Sequence, residues 1–202
     1  MTRVAAIDCG TNSIRLLVAD GHIGEDGRPH LADLTRQMRI VRLGQGVDAR
    51  GYLDPAAISR AVEATVEYQR MIEKLGATSI RFVATSATRD ASNSAEFVRQ
   101  IKAVIGVEPE VVVGTQEASL SFRGAVGGLG ESLPGPMLVV DIGGGSTELV
   151  LGSTSVKQAI SIDMGAVRVT EKFFTHVDPA GGVPAADQER AIAWIDEQLD
   201  IA

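Results

Sequence analysis

Two short segments of the sequence carry the same residue types at the same spacing, and both contain groups that can bind anions or cations. Residues 8–16 read DCGTNSIRL and residues 141–149 read DIGGGSTEL, so both fit the pattern D-x-G-x-x-S-x-x-L. The offset is 141 − 8 = 133 residues, which indicates duplication of a domain rather than a short repeat. Glycines permit tight turns and close approach of a ligand, and successive exposed amides in such turns bind anions.

We therefore predict two hairpin loops, one in each domain, that face each other across a cleft and grip a chain of phosphates from both sides. The alternative is that the glycines only form turns. Neither segment fits the nucleotide-binding pattern G-x-x-x-x-G-K-[ST], and neither is a G-x-G-x-x-G leading into a helix. The residues of the predicted phosphate cradle are Asn12, Ser13, Gly143, Gly144, Gly145, Ser146 and Thr147.

The overall composition restricts the class of protein and of partner. The net charge is −7, from 26 acidic and 19 basic residues, which argues against a nucleic-acid partner. A polyanionic ligand must therefore be attracted by local bases, backbone amides and metal. The single cysteine, Cys9, excludes an internal disulfide, and no apolar run approaches the roughly eighteen residues of a membrane span. No signal-peptide pattern opens the chain, so we predict a cytoplasmic protein without a membrane partner.

The pattern of apolar residues predicts an α/β fold with a mixed sheet and helices on its faces. Asp54 is a predicted N-cap, with Pro55 at the first helical position and Gly76 after the end. The Gly-rich stretch 21–29 is predicted to be a surface turn. The predicted strands are residues 3–8, 14–19, 31–43, 80–84, 109–113, 137–141, 147–151 and 156–162. The other predicted helices are residues 94–105, a helix capped by Thr115, 166–175 and 186–200.

The loose Gly- and Pro-rich run 127–136 is the predicted domain boundary. It divides the chain into a first domain of residues 1–126 and a second of residues 127–202. A second repeat copy that starts 133 residues after the first reaches only the counterpart of Gln69, since 202 − 133 = 69. We therefore expect the second domain to be incomplete.

Five segments in order resemble signatures of the exopolyphosphatase and guanosine-pentaphosphate phosphatase family. They are DCGTNSIRLLVAD, FVATSATRDA, GTQEASLSFRG, LVVDIGGGSTELVLG and SIDMGAVRVTEKF, and they run over roughly residues 4–174. The resemblance implies two ribonuclease-H-like domains of the actin-like ATPase type around a cleft, each with a mixed five-stranded sheet. It also implies bound Mg²⁺, with Mn²⁺ as an alternative, and hydrolysis from the end of linear polyphosphate. Some members remove the terminal phosphate of guanosine pentaphosphate instead or as well, and relatives often form homodimers.

The resemblance suggests roles for three carboxylates and two arginines. Glu117 matches the family's catalytic glutamate, although an acid in a first helical turn is also favoured by the helix dipole alone. Arg15 and Arg89 are predicted to bind phosphate oxygens, with a surface ion pair as the alternative for each. Asp141 and Glu148 are predicted to hold Mg²⁺, directly or through water, because a hairpin can bring both carboxylates together.

Asp8 is the symmetric counterpart of Asp141 and is predicted to join the metal site through water; capping of loop amides is an equal alternative. Two other functions stay open at this point. A kinase of the same superfamily would need an adenine pocket and an acceptor site, and no segment suggests either. A non-catalytic polyphosphate or alarmone sensor would not require the complete set of carboxylates.

Overall fold

The computed structural model describes residues 1–25, 27, 29–127, 135–176 and 181–201. The chain divides into two compact units, Met1–Val112 and Val113–Ala202. Within the described residues, no helix is both long and apolar enough to cross a membrane.

The first unit is built on a five-stranded sheet with the order β3-β2-β1-β4-β5. Strands β1, β2 and β3 pair antiparallel, whereas β4 pairs parallel with both β1 and β5, so the sheet is mixed. The strands are β1 (Thr2–Cys9), β2 (Ser13–Ile23), β3 (Pro29–Ile40), β4 (Ser79–Ala84) and β5 (Glu110–Val111). The helices are α1 (Val47–Arg50), α2 (Pro55–Leu75), α3 (Ser86–Asp90) and α4 (Ser94–Ile105).

Helix α2 covers one face of this sheet. The Asp54 side chain accepts a hydrogen bond from Ala56 N at 2.9 Å, so the predicted N-cap is confirmed. The Tyr68 hydroxyl donates to the carbonyl of Ile14 at 3.0 Å and ties the helix to β2. Alternate residues of β1 and β2 point into this layer, as the two-residue period of a strand requires. The buried ones are Ala5, Ile7, Cys9, Ile14, Leu16 and Val18.

The second unit contains a three-stranded antiparallel sheet with the order β6-β7-β8. Helix α5 lies on one face, where Ala118 and Phe122 pack against Val150 of the central strand. The elements are α5 (Gly114–Gly127), β6 (Met137–Ile142), β7 (Thr147–Gly152), β8 (Val156–Ile162), α6 (Ala166–Phe173) and α7 (Ala185–Leu199).

Most predicted elements are confirmed, with five corrections. The strand predicted over 109–113 is only the two residues Glu110–Val111. The turn predicted over 21–29 is too long, because β2 continues to Ile23 and β3 begins at Pro29. The third strand ends at Ile40 rather than at residue 43, because the residues that follow turn away to bond the β1–β2 loop. Helix α5 begins at Gly114, so Thr115 lies inside its first turn and is not the N-cap. The short helices α1 and α3 were not predicted.

The division into compact units falls earlier in the chain than the domain boundary predicted between residues 126 and 127. Helix α5 contacts all three strands of the second sheet, so it belongs to the second unit. Most of the predicted boundary run lies outside the described residues, which omit 128–134. The domain assignment itself stays a prediction.

Candidate active site

The two repeat segments form the same hairpin turn in the two units. In the first, the amide of Gly10 donates to the carbonyl of Ser13 at 2.9 Å. In the second, the amide of Gly143 donates to the carbonyl of Ser146, also at 2.9 Å. The strands on either side pair antiparallel in both copies. The sequence repeat therefore corresponds to a repeated backbone structure.

The carbonyls of the first loop are occupied by the segment that follows β3. Asn12 O accepts from the amides of Val41 and Arg42 at 3.0 and 2.9 Å. Thr11 O accepts from the amide of Gly44 at 2.8 Å. Because these carbonyls are directed to other parts of the unit, the loop's negative dipole ends are kept away from a bound anion.

The second loop is held in the same way by the start of helix α6. Gly143 O and Gly144 O accept from the amides of Ala166 and Val167, each at 2.9 Å. A Cβ at Gly165 would overlap the backbone of Gly144, so a residue larger than glycine cannot bring the helix this close. The amides in the first turn of α6, which have no partner within the helix, therefore donate to carbonyls of the loop.

Three amides of the second loop take no part in the backbone bonds that hold it. Within the part of the chain that the structure describes, the N–H groups of Gly144, Gly145 and Ser146 donate to no backbone carbonyl. Consecutive amides in such a turn form a concave anion site. The hydroxyl of Thr147, in contrast, donates to the carbonyl of Met164. This loop therefore presents backbone donors, and the side-chain contacts predicted for it stay predictions.

Three polar side chains lie in a row across the second sheet. Asp141 of β6 is directly opposite Glu148 of β7, which is directly opposite Ser161 of β8. Directly opposed residues share a face of the sheet, and so do residues two apart in a strand. Val150 lies on the face covered by Phe122 of α5, so the row lies on that face too.

The two carboxylates of the row differ in their access to solvent. Glu148 is only 1% exposed, and its Oε1 accepts a hydrogen bond from Ser161 Oγ at 2.7 Å. Asp141 is exposed, and its Oδ2 accepts a hydrogen bond from Ser121 Oγ of α5. The predicted pairing of the two carboxylates on adjacent strands is therefore present, with a hydroxyl donor for each.

Glu117 lies in the part of α5 that crosses this row. It is one helical turn before Ser121, which contacts Asp141, and three residues after Gly114, whose backbone lies against Ser161. Its Oε2 atom is buried. The candidate base and the two candidate metal ligands of this unit are thus brought to one side of one sheet.

The charged residues predicted for the site in the first unit, Asp8, Arg15 and Arg89, make ion pairs in this structure. Arg15 lies opposite Asp8 in the ladder, with Nη1 3.4 Å from Asp8 Oδ2, and both side chains are largely exposed. Arg89 donates to the carbonyl of Val112 at 3.3 Å and lies 3.5 Å from Asp90. The Arg89 pair is partly buried, with side chains that are 22% and 32% exposed. The Arg15 pair is exposed, and such pairs contribute little free energy, so it does not prevent Arg15 from taking the phosphate-binding role predicted for both arginines. Those roles, and the metal role of Asp8, stay predictions.

Cys9, at the end of β1, is a packing residue in this structure. It is buried among the apolar residues of the first core, and burial raises the pKa of its thiol. A thiol that stays protonated is a poor nucleophile. Cys9 is therefore not a candidate nucleophile in this structure.

Three residues that contact the site were not predicted. Ser121 and Ser161 bond the two carboxylates, and Arg168 donates from Nε to the carbonyl of Gly145 at 3.0 Å. Arg168 and Ser161 lie in the segment SIDMGAVRVTEKF, whose resemblance to a signature was the available signal. Ser121 likewise lies in the segment GTQEASLSFRG, but its contact with Asp141 depends on how α5 crosses the sheet.

The comparison with known families assigns the chain. The profile described as the Ppx/GppA phosphatase family matches residues 22–200. The chain belongs to this family. It is 51% identical over 184 residues to the Mycobacterium tuberculosis protein named Exopolyphosphatase 2. The aligned region covers 89% of this chain and 57% of that relative. The predicted family is therefore confirmed.

Solved structures of Ppx/GppA relatives agree with the fold. An exopolyphosphatase-like protein matches with a TM-score of 0.90 and 44% identity, over 100% of this chain and 61% of that one. An exopolyphosphatase from Cytophaga hutchinsonii matches with a TM-score of 0.85 and 28% identity, over 98% and 61%. The predicted α/β fold of the actin-like ATPase type is confirmed, with the mixed five-stranded sheet in the first unit. Among the described residues the second unit has three antiparallel strands, not the mixed five-stranded sheet that the resemblance implies. The chain spans about three-fifths of the length of these relatives.

Proposed function

We propose that the protein hydrolyses the terminal phosphate of linear polyphosphate and releases orthophosphate. The observation that carries the proposal is the row of Asp141 and Glu148 beneath the first turn of the helix that bears Glu117. Membership of the Ppx/GppA family and the names of its relatives support polyphosphate as the substrate class.

The hairpin loops supply the means of binding a phosphate chain to a protein with a net charge of −7. Their carbonyls are occupied elsewhere, and the amides of Gly144, Gly145 and Ser146 can donate to phosphate oxygens. Arg15 and Arg89 add forked cationic donors, which suit phosphate oxygens better than lysine does. The prediction that one phosphate chain is gripped by both loops stays a prediction.

Mg²⁺ fits the carboxylates of the second unit. Glu148 is almost fully buried, and a buried carboxylate is stabilised by a nearby cation. Within the described residues no group of three or more His, Cys, Asp or Glu side chains is arranged to hold a metal. Mg²⁺ needs only one or two carboxylates, because it keeps several waters and takes oxygens from phosphate. Asp141 and Glu148 would hold it, directly or through water, and it would neutralise phosphate charge.

Glu117 acts as the general base in this proposal. The oxygen of a water molecule attacks the terminal phosphorus, and its proton passes to a Glu117 carboxylate oxygen. The bond between that phosphorus and the bridging oxygen breaks. Orthophosphate forms, and the chain, shortened by one unit, leaves with the bridging oxygen. The loop amides and the arginines stabilise the charge on the phosphate oxygens throughout.

The test is phosphate release from polyphosphate of defined length by the wild type and Glu117→Gln. General-base catalysis contributes about 10²–10⁴-fold, so the variant should be slower by that factor. Glu189→Gln is the matched control, because it changes the same charge at an exposed position on α7. Equal rates for the wild type and Glu117→Gln would remove Glu117 from the mechanism.

The same assay separates the other candidate functions. Release of phosphate from guanosine pentaphosphate but not from polyphosphate would favour the alternative activity within this family. Binding of either compound without turnover would favour a sensor. The homodimer and the cytoplasmic location stay predictions.

A further inference from the structure

Ser161 contacts both halves of the candidate active site in the second unit. On one side its Oγ donates to Glu148 Oε1 at 2.7 Å. The two residues are directly opposed in the β7–β8 ladder, so the hydroxyl and the carboxylate leave the sheet from adjacent positions on one face. The bond has the ordinary length of an O–H···O hydrogen bond, and it fixes a side chain that has three rotatable bonds.

On its other side Ser161 lies against the first residue of helix α5. A Cβ built on Gly114 would lie 2.5 Å from both Cβ and Oγ of Ser161, nearer than real side chains approach each other. Glycine at this position is therefore what allows the helix to begin so close to β8. Glu117, the candidate base, follows three residues later in the same first turn.

We propose that Ser161 is a positioning residue that orients Glu148 for metal binding, and that Gly114 provides the space that this requires. The inference rests on the proposed function, in which Glu148 holds the cation. A side chain that hydrogen-bonds a metal-coordinating residue orients that residue. Loss of such a side chain typically lowers metal affinity about 10–100-fold. The contact between Gly114 and Ser161 also fixes the distance between the first turn of α5, which carries Glu117, and the sheet that carries the two carboxylates.

The substitutions Ser161→Ala and Gly114→Ala remove the two parts of this arrangement separately. Ser161→Ala deletes the hydrogen bond to Glu148, whereas Gly114→Ala forces the start of α5 and β8 apart, because Cβ of Ser161 is fixed to the strand backbone. Each has a matched control in the same unit. Ser155→Ala changes an exposed serine in the β7–β8 turn, and Gly124→Ala adds a methyl group in α5 where no atom lies within 4 Å.

The experiment is a titration with Mn²⁺ alone, followed by electron paramagnetic resonance, with thermal melting in chelator as the check of folding. We expect about 10–100-fold weaker Mn²⁺ binding for Ser161→Ala and Gly114→Ala, and wild-type binding for both controls. Because Ser161→Ala already removes the hydrogen bond that the backbone shift of Gly114→Ala would disturb, the double variant should lose less than the product of the two single effects.

Wild-type Mn²⁺ affinity in a folded Ser161→Ala variant would overturn the inference while leaving the proposed metal site intact. If Ser161→Ala does not fold, wild-type Mn²⁺ affinity in a folded Gly114→Ala variant would overturn the inference instead. A wild-type protein that binds no Mn²⁺ would instead overturn the metal site of the proposed function, and the inference with it. Steady-state kinetics add a second readout: a positioning role predicts a higher Mn²⁺ requirement, with the KM for polyphosphate nearly unchanged at saturating metal.

Discussion

The two repeat hairpins share a backbone turn but oppose different charges across their strands. In the first hairpin Asp8 faces Arg15, and in the second Asp141 faces Glu148 at the equivalent pair of positions. The first pair joins an arginine to a carboxyl group, whereas the second joins two carboxyl groups, one of them buried. One duplicated turn can therefore serve opposite purposes: the arginine suits an anion, and the two carboxylates suit a cation.

The sheet faces behind the two hairpins differ as well. Ala5, Ile7 and Cys9 of β1 are at most 2% exposed beneath the helical layer of the first unit. Their counterparts 133 residues later, Leu138, Val140 and Ile142, are between 51% and 69% exposed. The same positions in the repeat thus form a core in the first unit and an open apolar face in the second.

The largest effect expected from this difference is on thiol labelling. Cys9 is buried and the pKa of its thiol is raised. A thiol-specific reagent can therefore react with Cys9 only when the structure around it opens locally. We expect Cys9 of the wild type to react about 1,000-fold more slowly than the new thiol of Cys9→Ala/Ile142→Cys, as an opening free energy of about 4 kcal/mol implies. Rates measured with and without denaturant provide the comparison. Similar rates in native buffer would mean that the two faces are equally covered.

The next effect is on the free energy of unfolding. Ile7→Ala removes a side chain that is 1% exposed and should cost about 2–5 kcal/mol. Val140→Ala changes the equivalent position, which is 51% exposed, and should cost less than about 0.5 kcal/mol. Urea denaturation of the two variants measures both values. A cost for Val140→Ala that matches that of Ile7→Ala would contradict the open face.

A smaller effect is expected for the arginine of the first hairpin. Arg15→Gln should weaken polyphosphate binding about tenfold, the loss of a charge-assisted hydrogen bond, without changing Mn²⁺ affinity. Arg36→Gln on the exposed strand β3, where Arg36 pairs with Asp33, removes the same charge and is the control. Calorimetric titration with defined polyphosphate distinguishes them. Equal losses of polyphosphate affinity in both variants would mean that Arg15 contributes only through the net charge of the protein.

The smallest effect concerns acid stability at the far end of the first hairpin. The hydrogen bonds from Arg3 hold the pKa of the Asp20 carboxyl below its ordinary value of 3.8. The equivalent positions in the second unit are Pro136 and Ser153, which cannot form such an ion pair. A carboxyl whose folded pKa is lowered stabilises the fold above its unfolded pKa and loses that contribution as pH falls through the folded pKa. Asp20→Asn should therefore flatten the decline of the urea midpoint below about pH 4. An unchanged acid profile would mean that this pair contributes nothing.

The sequence could predict the parts of this fold that follow from local patterns and from the repeat. Strand periods, the Asp54 cap and the D-x-G-x-x-S-x-x-L pattern are local, and they led to the hairpins and to the pair of Asp141 and Glu148. The pairing of Ser161 with Glu148 depends on a register shift between Leu151 and Gly152, which regular hairpin register would not predict.

Other features depend on packing that no local pattern encodes. The contact of Ser121 with Asp141 requires the crossing direction of α5, and the assignment of α5 to the second unit requires its contacts with β6, β7 and β8. Helix α1 begins after Gly46 and α3 after Thr85, and neither has a side-chain cap that would mark it.

The most direct test of the account is Mn²⁺ binding by Glu148→Gln and Arg15→Gln, the changes that neutralise the residue opposite the aspartate in each hairpin. The account predicts that Glu148→Gln weakens Mn²⁺ binding by at least about 100-fold, more than loss of a supporting group, while Arg15→Gln leaves it unchanged. Electron paramagnetic resonance titration of both folded variants provides the measurement. Wild-type Mn²⁺ affinity in Glu148→Gln would contradict the assignment of the metal to the second hairpin.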